Sequence, residues 1–223
     1  MEVTRRRALA HCSALLAAAL GIGHGVAADA PQRILVVGDS LSAEYGLARG
    51  SGWVALLEQR LAREHIDATV VNASISGDTT SGGRARLRPL LRQHHPTLVV
   101  IELGANDALR GLPIEETRAN LVAMAEMAKT EGARVVLVGM QIPPNYGRRY
   151  AEQFAAMYAD AARETGSALV PFMLKGVADA PDAERLFQPD RIHPLAAAHP
   201  TILANIWPVL EPTLRAAPRA SKR

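Results

Sequence analysis

From Arg33 onward, short runs of β-branched and aliphatic residues alternate with longer stretches of helical period. That alternation is the signature of a parallel sheet covered by helices on both faces, because strands buried on both sides read as continuous apolar runs. The runs predict strands at Ile34–Val37, Ala68–Val71, Leu98–Ile101, Arg134–Val138 and Ala168–Val170. Between them, Trp53, Leu56, Leu57 and Leu61 share one helical face, and Leu121, Met124, Ala125 and Ala128 share another. A final helix is expected from Pro194 to Val209, with Pro194 at the first helical position, where no amide hydrogen is needed, and Pro208 ending or kinking it. The expected fold is therefore α/β: a three-layer α/β/α, flavodoxin-like, doubly wound domain on a parallel five-stranded sheet. Ligands of such folds bind outside the carboxyl ends of the strands.

A chain of 223 residues, 48% hydrophobic and 21% charged, suits one self-folding domain. Its first thirty residues stand apart. Arg5, Arg6 and Arg7 precede an Ala/Leu/Gly run from Ala8 to Val26, and Val26-Ala27-Ala28 supplies small residues for cleavage. Residues 1–28 read as a cleaved export signal, since the run is short and interrupted by His11 and His24 and makes a poor permanent membrane anchor. Periplasmic or secreted location follows. Thr4-Arg5-Arg6-Arg7-Ala8-Leu9 partly matches a twin-arginine signal, which leaves the export route open. The single cysteine, Cys12, leaves with the signal, so the mature chain is expected to hold no disulfide and to depend on packing.

Charge excludes one class of partner. Of the formal +3, the signal supplies about two units, and much of the remaining basic character sits in the tail at Arg215, Arg219, Lys222 and Arg223. Aromatic residues are only 4%, too few for base stacking, so no nucleic-acid partner is expected. His94-His95 is the one pair that invites a metal, but no Cys or His cluster accompanies it, and neither metal nor cofactor is expected. The expected state is a monomer.

The chemistry lies in four segments, each following a strand. Gly38-Asp39-Ser40-Leu41-Ser42 presents the Ser40 hydroxyl at the mouth of the sheet, although Asp39 or Ser40 alone reads equally as a cap of the next turn. Ser42 stands where the second glycine of a Gly-x-Ser-x-Gly elbow belongs, which disfavours the α/β-hydrolase layout. After the second strand, Gly77 in Ser74-Ile75-Ser76-Gly77 has no Cβ, so its amide can approach a reacting oxygen. After the third, Asn106 in Gly104-Ala105-Asn106-Asp107 carries a neutral N–H donor suited to an oxyanion, or forms an Asx turn. Last, Asp190-Arg191-Ile192-His193-Pro194 sets a carboxylate three positions before an imidazole, within reach to fix its tautomer and stabilise its protonated form. Placed on the fold, the four segments converge on one edge of the sheet. Together they supply a nucleophile (Ser40), a base (His193), an orienting acid (Asp190) and oxyanion donors.

These blocks, Gly38-Asp39-Ser40-Leu41, Gly77, Gly104-x-Asn106-Asp107 and Asp190-x-x-His193-Pro194, closely resemble those of the SGNH (GDSL) hydrolases. The stretches Val71–Gly83 and Asn145–Tyr150 are similar to the exported bacterial group of acyl-CoA thioesterase I, arylesterase and lysophospholipase, and the likeness runs from Arg33 to Leu210. The resemblance implies an oxyanion hole formed by the backbone amides of Ser40 and Gly77 and the side chain of Asn106. It also implies that Ile75–Thr80 is a loop that shifts when an acyl chain binds. It divides the chain into a signal (1–28), a hydrolase domain (29–212) and a basic, disordered tail (213–223). Ala105 stands where glycine is frequent, Arg191 where glycine is usual, and Leu195 where a polar residue often follows, all at the rim.

The expected substrates are small acyl esters or thioesters. Leu109, Leu112, Ile142, Pro143, Tyr146, Phe172 and Leu174 lie on or near loops that follow strands, where an apolar groove can form, and Leu109, Ile142, Pro143 and Tyr146 are expected to contact substrate. A carbohydrate O-acetylesterase of the same fold and a non-catalytic exported binding module are the alternatives. His199 is a weaker candidate base than His193, being expected inside the last helix with no acid three residues before it, and Asp78 and Asp107 read as turn or cap residues.

Overall fold

In the computed structural model, which describes residues 31–216, the sheet consists of Gln32–Gly38 (β1), Ala68–Asn72 (β2), Leu98–Glu102 (β3), Arg134–Val138 (β4) and Ala168–Val170 (β5). The strands run in the order β2-β1-β3-β4-β5, all parallel, the flavodoxin-like arrangement expected from the sequence. The central strands are buried on both faces: every residue of β3 and the last five of β1 are inaccessible. Residues 1–30 and 217–223, which include the segment read as an export signal (1–28) and the end of the expected tail, lie outside the described residues.

The helices are Trp53–Arg63 (α1), Thr80–His94 (α2), Ala105–Leu109 (α3), Ile114–Thr130 (α4), Arg148–Thr165 (α5) and His199–Arg215 (α6). α1 and α6 pack together on one face of the sheet, while α2, α4 and α5 cover the other. The faces anticipated on α1 and α4 are the ones buried: Trp53, Leu57 and Leu61 on the first, with Leu56 packed alongside, and Leu121, Met124, Ala125 and Ala128 on the second. The guanidinium of Arg60 lies 4.2 Å above the Trp207 ring, which closes the α1–α6 seam.

The last helix departs from the sequence reading at both ends. Pro194 is not its first residue. The chain there is extended and bridges antiparallel to Phe187, with Gln188 N donating to His193 O (2.7 Å) and Leu195 N to Leu186 O (2.7 Å). Pro200 takes the N-terminal proline position instead. Nor does Pro208 stop the helix, which continues past Pro212 to Arg215. Both prolines are exposed, so the carbonyls they leave without an amide partner face water. Ile202, Leu203, Ile206, Trp207, Leu210 and Leu214 hold the opposite stripe in the core. Burial of that stripe, at about 1.5–3 kcal/mol per large side chain, outweighs the proline penalty of about 3 kcal/mol.

Two loops that matter for the site are tied to the sheet. Ile75 N donates to Gly38 O (3.0 Å) and Ala73 N to Val36 O (2.9 Å), which draws the β2–α2 loop against the end of β1. Arg86 of α2 reinforces this, pairing with Asp78 (2.7 Å) and donating to the carbonyl of Ala73.

Candidate active site

Strand order reverses between β1 and β3, and the loops leaving those two strands carry Ser40 and Asn106. The crevice of a doubly wound fold opens at this point. Ser40 lies two residues past the end of β1, in a turn in which Ser42 N and Ala43 N donate to Asp39 O (3.2 and 2.9 Å). The Asp190–His193 loop, far away in sequence, folds back over this turn because Gln188 binds it: Gln188 Nε2 donates to Tyr45 O (2.9 Å) and to Pro194 O (3.3 Å).

His193 Nε2 lies 2.9 Å from Ser40 Oγ, and His193 Nδ1 lies 2.7 Å from Asp190 Oδ2. Asp190 Oδ1 accepts the backbone N–H groups of Ile192 (2.9 Å) and His193 (3.0 Å). The backbone N–H of His193 does most to lower the pKa of Asp190 to about 2, followed by the His193 ring and the Ile192 N–H. An ionised carboxylate only accepts, so the imidazole proton must sit on Nδ1. Nε2 is then left with its lone pair toward the serine hydroxyl, the tautomer a general base requires. Arg191 adopts φ +60°, and this left-handed residue turns the loop so that both amides converge on Asp190. A glycine would take that conformation without strain.

The expected oxyanion donors are distributed as follows. Asn106 lies in the first turn of α3, beside Ser40 on the wall of one cavity, with its Nδ2 donating to Asp39 Oδ2 (3.0 Å). Its approach depends on Gly104, which has φ +123° and a Cα position where a Cβ would sit 2.4 Å from the Tyr158 hydroxyl. Gly77, at φ +80°, lies in the β2–α2 loop with its carbonyl accepting from Arg110 (2.8 Å), and it is not among the cavity's lining residues.

The cavity beside Ser40 has a volume of about 460 Å³. Leu109, Ile142, Pro143 and Tyr146 all line it, as does Leu174, whereas Leu112 and Phe172 do not. Leu112 is partly exposed and Phe172 packs against the core. Leu41 and Ile192, quoted within the motifs but not as wall residues, and Met140, Ala178 and Phe187, which no local pattern marked, complete the apolar wall. Of the unusual rim residues, Ala105 and Arg191 line the cavity and Leu195 does not.

His199 is no rival base. It is buried at the start of α6, where its Nδ1 accepts the backbone N–H of Trp53 (3.0 Å), and burial lowers its pKa. Asp107 behaves as a cap, accepting Thr80 N (2.9 Å) and Thr80 Oγ1 (2.5 Å) at the start of α2, and Asp78 accepts Thr79 N (3.0 Å) while it pairs with Arg86. Two buried acids near Ser40, Asp39 and Glu102, have no role in the sequence reading beyond a cap for Asp39. The one available signal for Glu102 was a charge closing the apolar run Leu98-Val99-Val100-Ile101. Tyr45, whose ring touches that of His193, left no signal at all.

Residues 36–200 match the GDSL-like Lipase/Acylhydrolase family. The chain is 54% identical over 185 residues to "Esterase TesA" of Pseudomonas aeruginosa, an alignment covering 83% of this chain and 90% of that protein. It is 44% identical over 176 residues to an "Arylesterase" of Vibrio mimicus, covering 79% and 86% respectively. With "Thioesterase 1/protease 1/lysophospholipase L1" of Escherichia coli K12 it shares 40% identity over 185 residues, covering 83% and 86%. A crystal structure of TesA superposes with a TM-score of 0.79 at 54% identity, covering 82% of this chain and 100% of that one. Fold, site and relatives agree, and the chain belongs to the GDSL-like lipase/acylhydrolase family.

Proposed function

We propose that the protein hydrolyses acyl esters and acyl thioesters through an acyl-enzyme on Ser40, with His193 as general base and Asp190 as its orienting acid. The observation that carries this reading is the hydrogen-bonded relay from Ser40 Oγ to His193 Nε2 (2.9 Å) and from His193 Nδ1 to Asp190 Oδ2 (2.7 Å), beside an apolar cavity.

In the first half-reaction Ser40 Oγ attacks the acyl carbon while its proton passes to His193 Nε2. The tetrahedral oxyanion is held by the amides of Ser40 and Gly77 and the side-chain N–H of Asn106, each such donor being worth about 2.7–4 kcal/mol of transition-state stabilisation. Collapse expels the alcohol or thiol, which takes the proton from the imidazolium. Water then attacks the acyl-enzyme by the same route in reverse, with His193 again accepting a proton, and the free acid departs.

The cavity supports acyl rather than sugar recognition, because its walls include Leu109, Ile142, Pro143, Leu174 and Phe187. Each buried methylene contributes about 0.8 kcal/mol, so a few acyl carbons there favour longer chains. The names of the relatives, esterase, arylesterase and thioesterase/lysophospholipase, are consistent with one pocket that accepts several leaving groups. Nitrophenyl esters from acetate to long acyl chains, run beside acyl-CoA and lysophospholipid, test the reading. A rise in kcat/KM with acyl length that vanishes in Ser40→Ala supports it, and activity confined to acetyl groups on sugars overturns it.

We infer that residues 1–28 are an export signal and that the mature hydrolase acts outside the cytoplasm, its working domain running from residue 29 past the expected limit of 212 to the end of α6 at Arg215, with the basic tail after it. Support for the first comes from the arginine-led apolar run and the small residues at Val26-Ala27-Ala28. Among the described residues no helix is long and apolar enough to cross a membrane, and the packed chain continues through Leu214 to the end of α6 at Arg215.

A further inference from the structure

Two carboxyl groups that the acyl-transfer reading leaves unused lie buried directly behind the nucleophile. Asp39 is 1% exposed and Glu102 is 2% exposed. Both oxygens of Asp39 are engaged: Oδ1 accepts the backbone N–H of Leu41 (3.0 Å) and Oδ2 accepts Asn106 Nδ2 (3.0 Å). Behind it, Glu102 Oε2 accepts Ser42 Oγ (2.6 Å) and, more weakly, the backbone N–H of Asp39 (3.4 Å). The Ser42 hydroxyl in turn accepts Trp53 Nε1 (3.1 Å), so the chain of contacts is anchored in α1.

We propose that Asp39 is a positioning residue that fixes the amide of Asn106 for its work as an oxyanion donor, and that Glu102 braces Asp39 from behind. The assignment rests on Asn106 acting as that donor. An asparagine amide can present either its NH2 or its carbonyl oxygen to a neighbour, and the two ends differ little in shape. A carboxylate only accepts, so Asp39 holds the NH2 end on its own side. One N–H is then spent on Asp39, and the other is left for the cavity that Asn106 lines. Leu41 N occupies the other oxygen and keeps the carboxylate from rotating.

The brace works because two buried carboxyl groups of neighbouring residues do not both ionise. Complete burial, and then the charge of Asp39, push Glu102 well above the usual carboxyl range, so Glu102 keeps its proton while its Oε2 holds Ser42 Oγ and the backbone N–H of Asp39. Asp39 is itself raised to about 6, chiefly by burial, against the opposing effects of Leu41 N–H, His193 and Asn106. The titratable groups that face it are Glu102 from β3, His193 from the last loop, Asp78 from the β2–α2 loop and Tyr158 from α5. Below that value Asp39 takes a proton, becomes a donor and no longer selects the amide orientation.

Steady-state kinetics on a nitrophenyl ester test this, with Asp39→Asn, Asn106→Ala, the double variant, Glu102→Leu and Glu102→Gln compared with wild type, all checked for folding by circular dichroism. Asn106→Ala is expected to lose roughly 10²–10³-fold in kcat with KM little changed. Asp39→Asn should lose roughly 10–100-fold, again in kcat, and the double variant should be no worse than Asn106→Ala by more than about threefold, as for residues acting as a unit. Glu102→Leu, which removes the hydrogen bonds to Ser42 and to the backbone N–H of Asp39, should lose at least about threefold in kcat, and Glu102→Gln, which keeps an acceptor there, should recover most of that loss; an unaltered kcat in Glu102→Leu overturns the brace. If Asp39→Asn fails to fold, the pH profile of Asn106→Ala decides. The acid limb of wild-type kcat should steepen toward two protons, whereas that of Asn106→Ala should fall toward one, because Asp39 no longer has an amide to orient. Multiplicative losses in the double variant, or equal limbs in the two enzymes, overturn the inference. Full kcat in Asn106→Ala would instead remove the donor reading beneath it.

Discussion

The ring of Tyr45 lies against the imidazole of His193, with centroids 4.4 Å apart and planes inclined by 39°. Tyr45 is reached from the last loop by Gln188, which grips its carbonyl, so one clamp sets both the loop and the ring that backs His193.

Tyr45→Ala should therefore reduce kcat. An aromatic face beside a developing imidazolium at a half-exposed site is worth about 0.5–1 kcal/mol, which corresponds to a loss of about two- to fivefold, and Tyr45→Phe should retain nearly all activity. Steady-state kinetics on one ester checks both. An alanine variant with unaltered kcat would show that the ring contact contributes nothing to the base.

Asp190 is held as an anion by three hydrogen bonds, with its pKa lowered to about 2, so the acid limb of activity is not set by Asp190. Asp190→Asn should lose roughly 10²–10⁴-fold in kcat at neutral pH, because an amide stabilises the wrong imidazole tautomer. Kinetics across pH checks the point. Near-normal activity in that variant would mean that another group orients His193.

Glu102 makes native stability depend on pH. Its folded pKa lies well above the ordinary value of 4.5. Below that value both states hold the proton and the group has no effect. As pH rises, the unfolded chain releases its proton while the native chain does not, so stability falls toward the folded value. Glu102→Gln removes this loss, so its Tm should decline less between pH 5 and pH 8 than that of wild type. Parallel Tm profiles for the two proteins would contradict a protonated Glu102.

Gly104→Ala should destabilise the protein by about 1–3 kcal/mol, since φ of +123° admits no side chain without strain. The added Cβ would also displace the Tyr158 hydroxyl from its hydrogen bond to Leu103 O (3.0 Å), three residues before Asn106. Thermal unfolding should show a loss of several degrees, together with reduced kcat. An unchanged Tm would mean that the turn tolerates a side chain.

How much of this was legible in sequence depended on range. β4 and β5 fall at the residues read from sequence, Arg134–Val138 and Ala168–Val170: β4 is buried from Val135 to Val138 and so reads as an apolar run, while β5 is a short, half-buried edge strand whose run is just as brief. β1 begins two residues earlier than its apolar run, at Gln32, since pairing with Ala68 of β2 continues through polar residues. The last helix was misplaced because Pro194 and Pro208 are local signals, while its true limits follow from the Phe187–Pro194 bridge and the buried stripe. The site shows the same division. Asp190 and His193 lie three residues apart and declare their contact, and the four segments converge once the strand order is known. The bonds from Asn106 to Asp39 and from Ser42 to Glu102 span more than fifty residues each, and no local pattern announces them.

The central claim is that the Ser40 hydroxyl is the group His193 activates. A fluorophosphonate reacts only with a serine so activated, and peptide mapping by mass spectrometry locates the adduct. One adduct per chain on Ser40, absent from Ser40→Ala and slowed by orders of magnitude in His193→Ala, is the expected result. An adduct on any other residue, or labelling that proceeds at an undiminished rate without the His193 imidazole, would contradict the account.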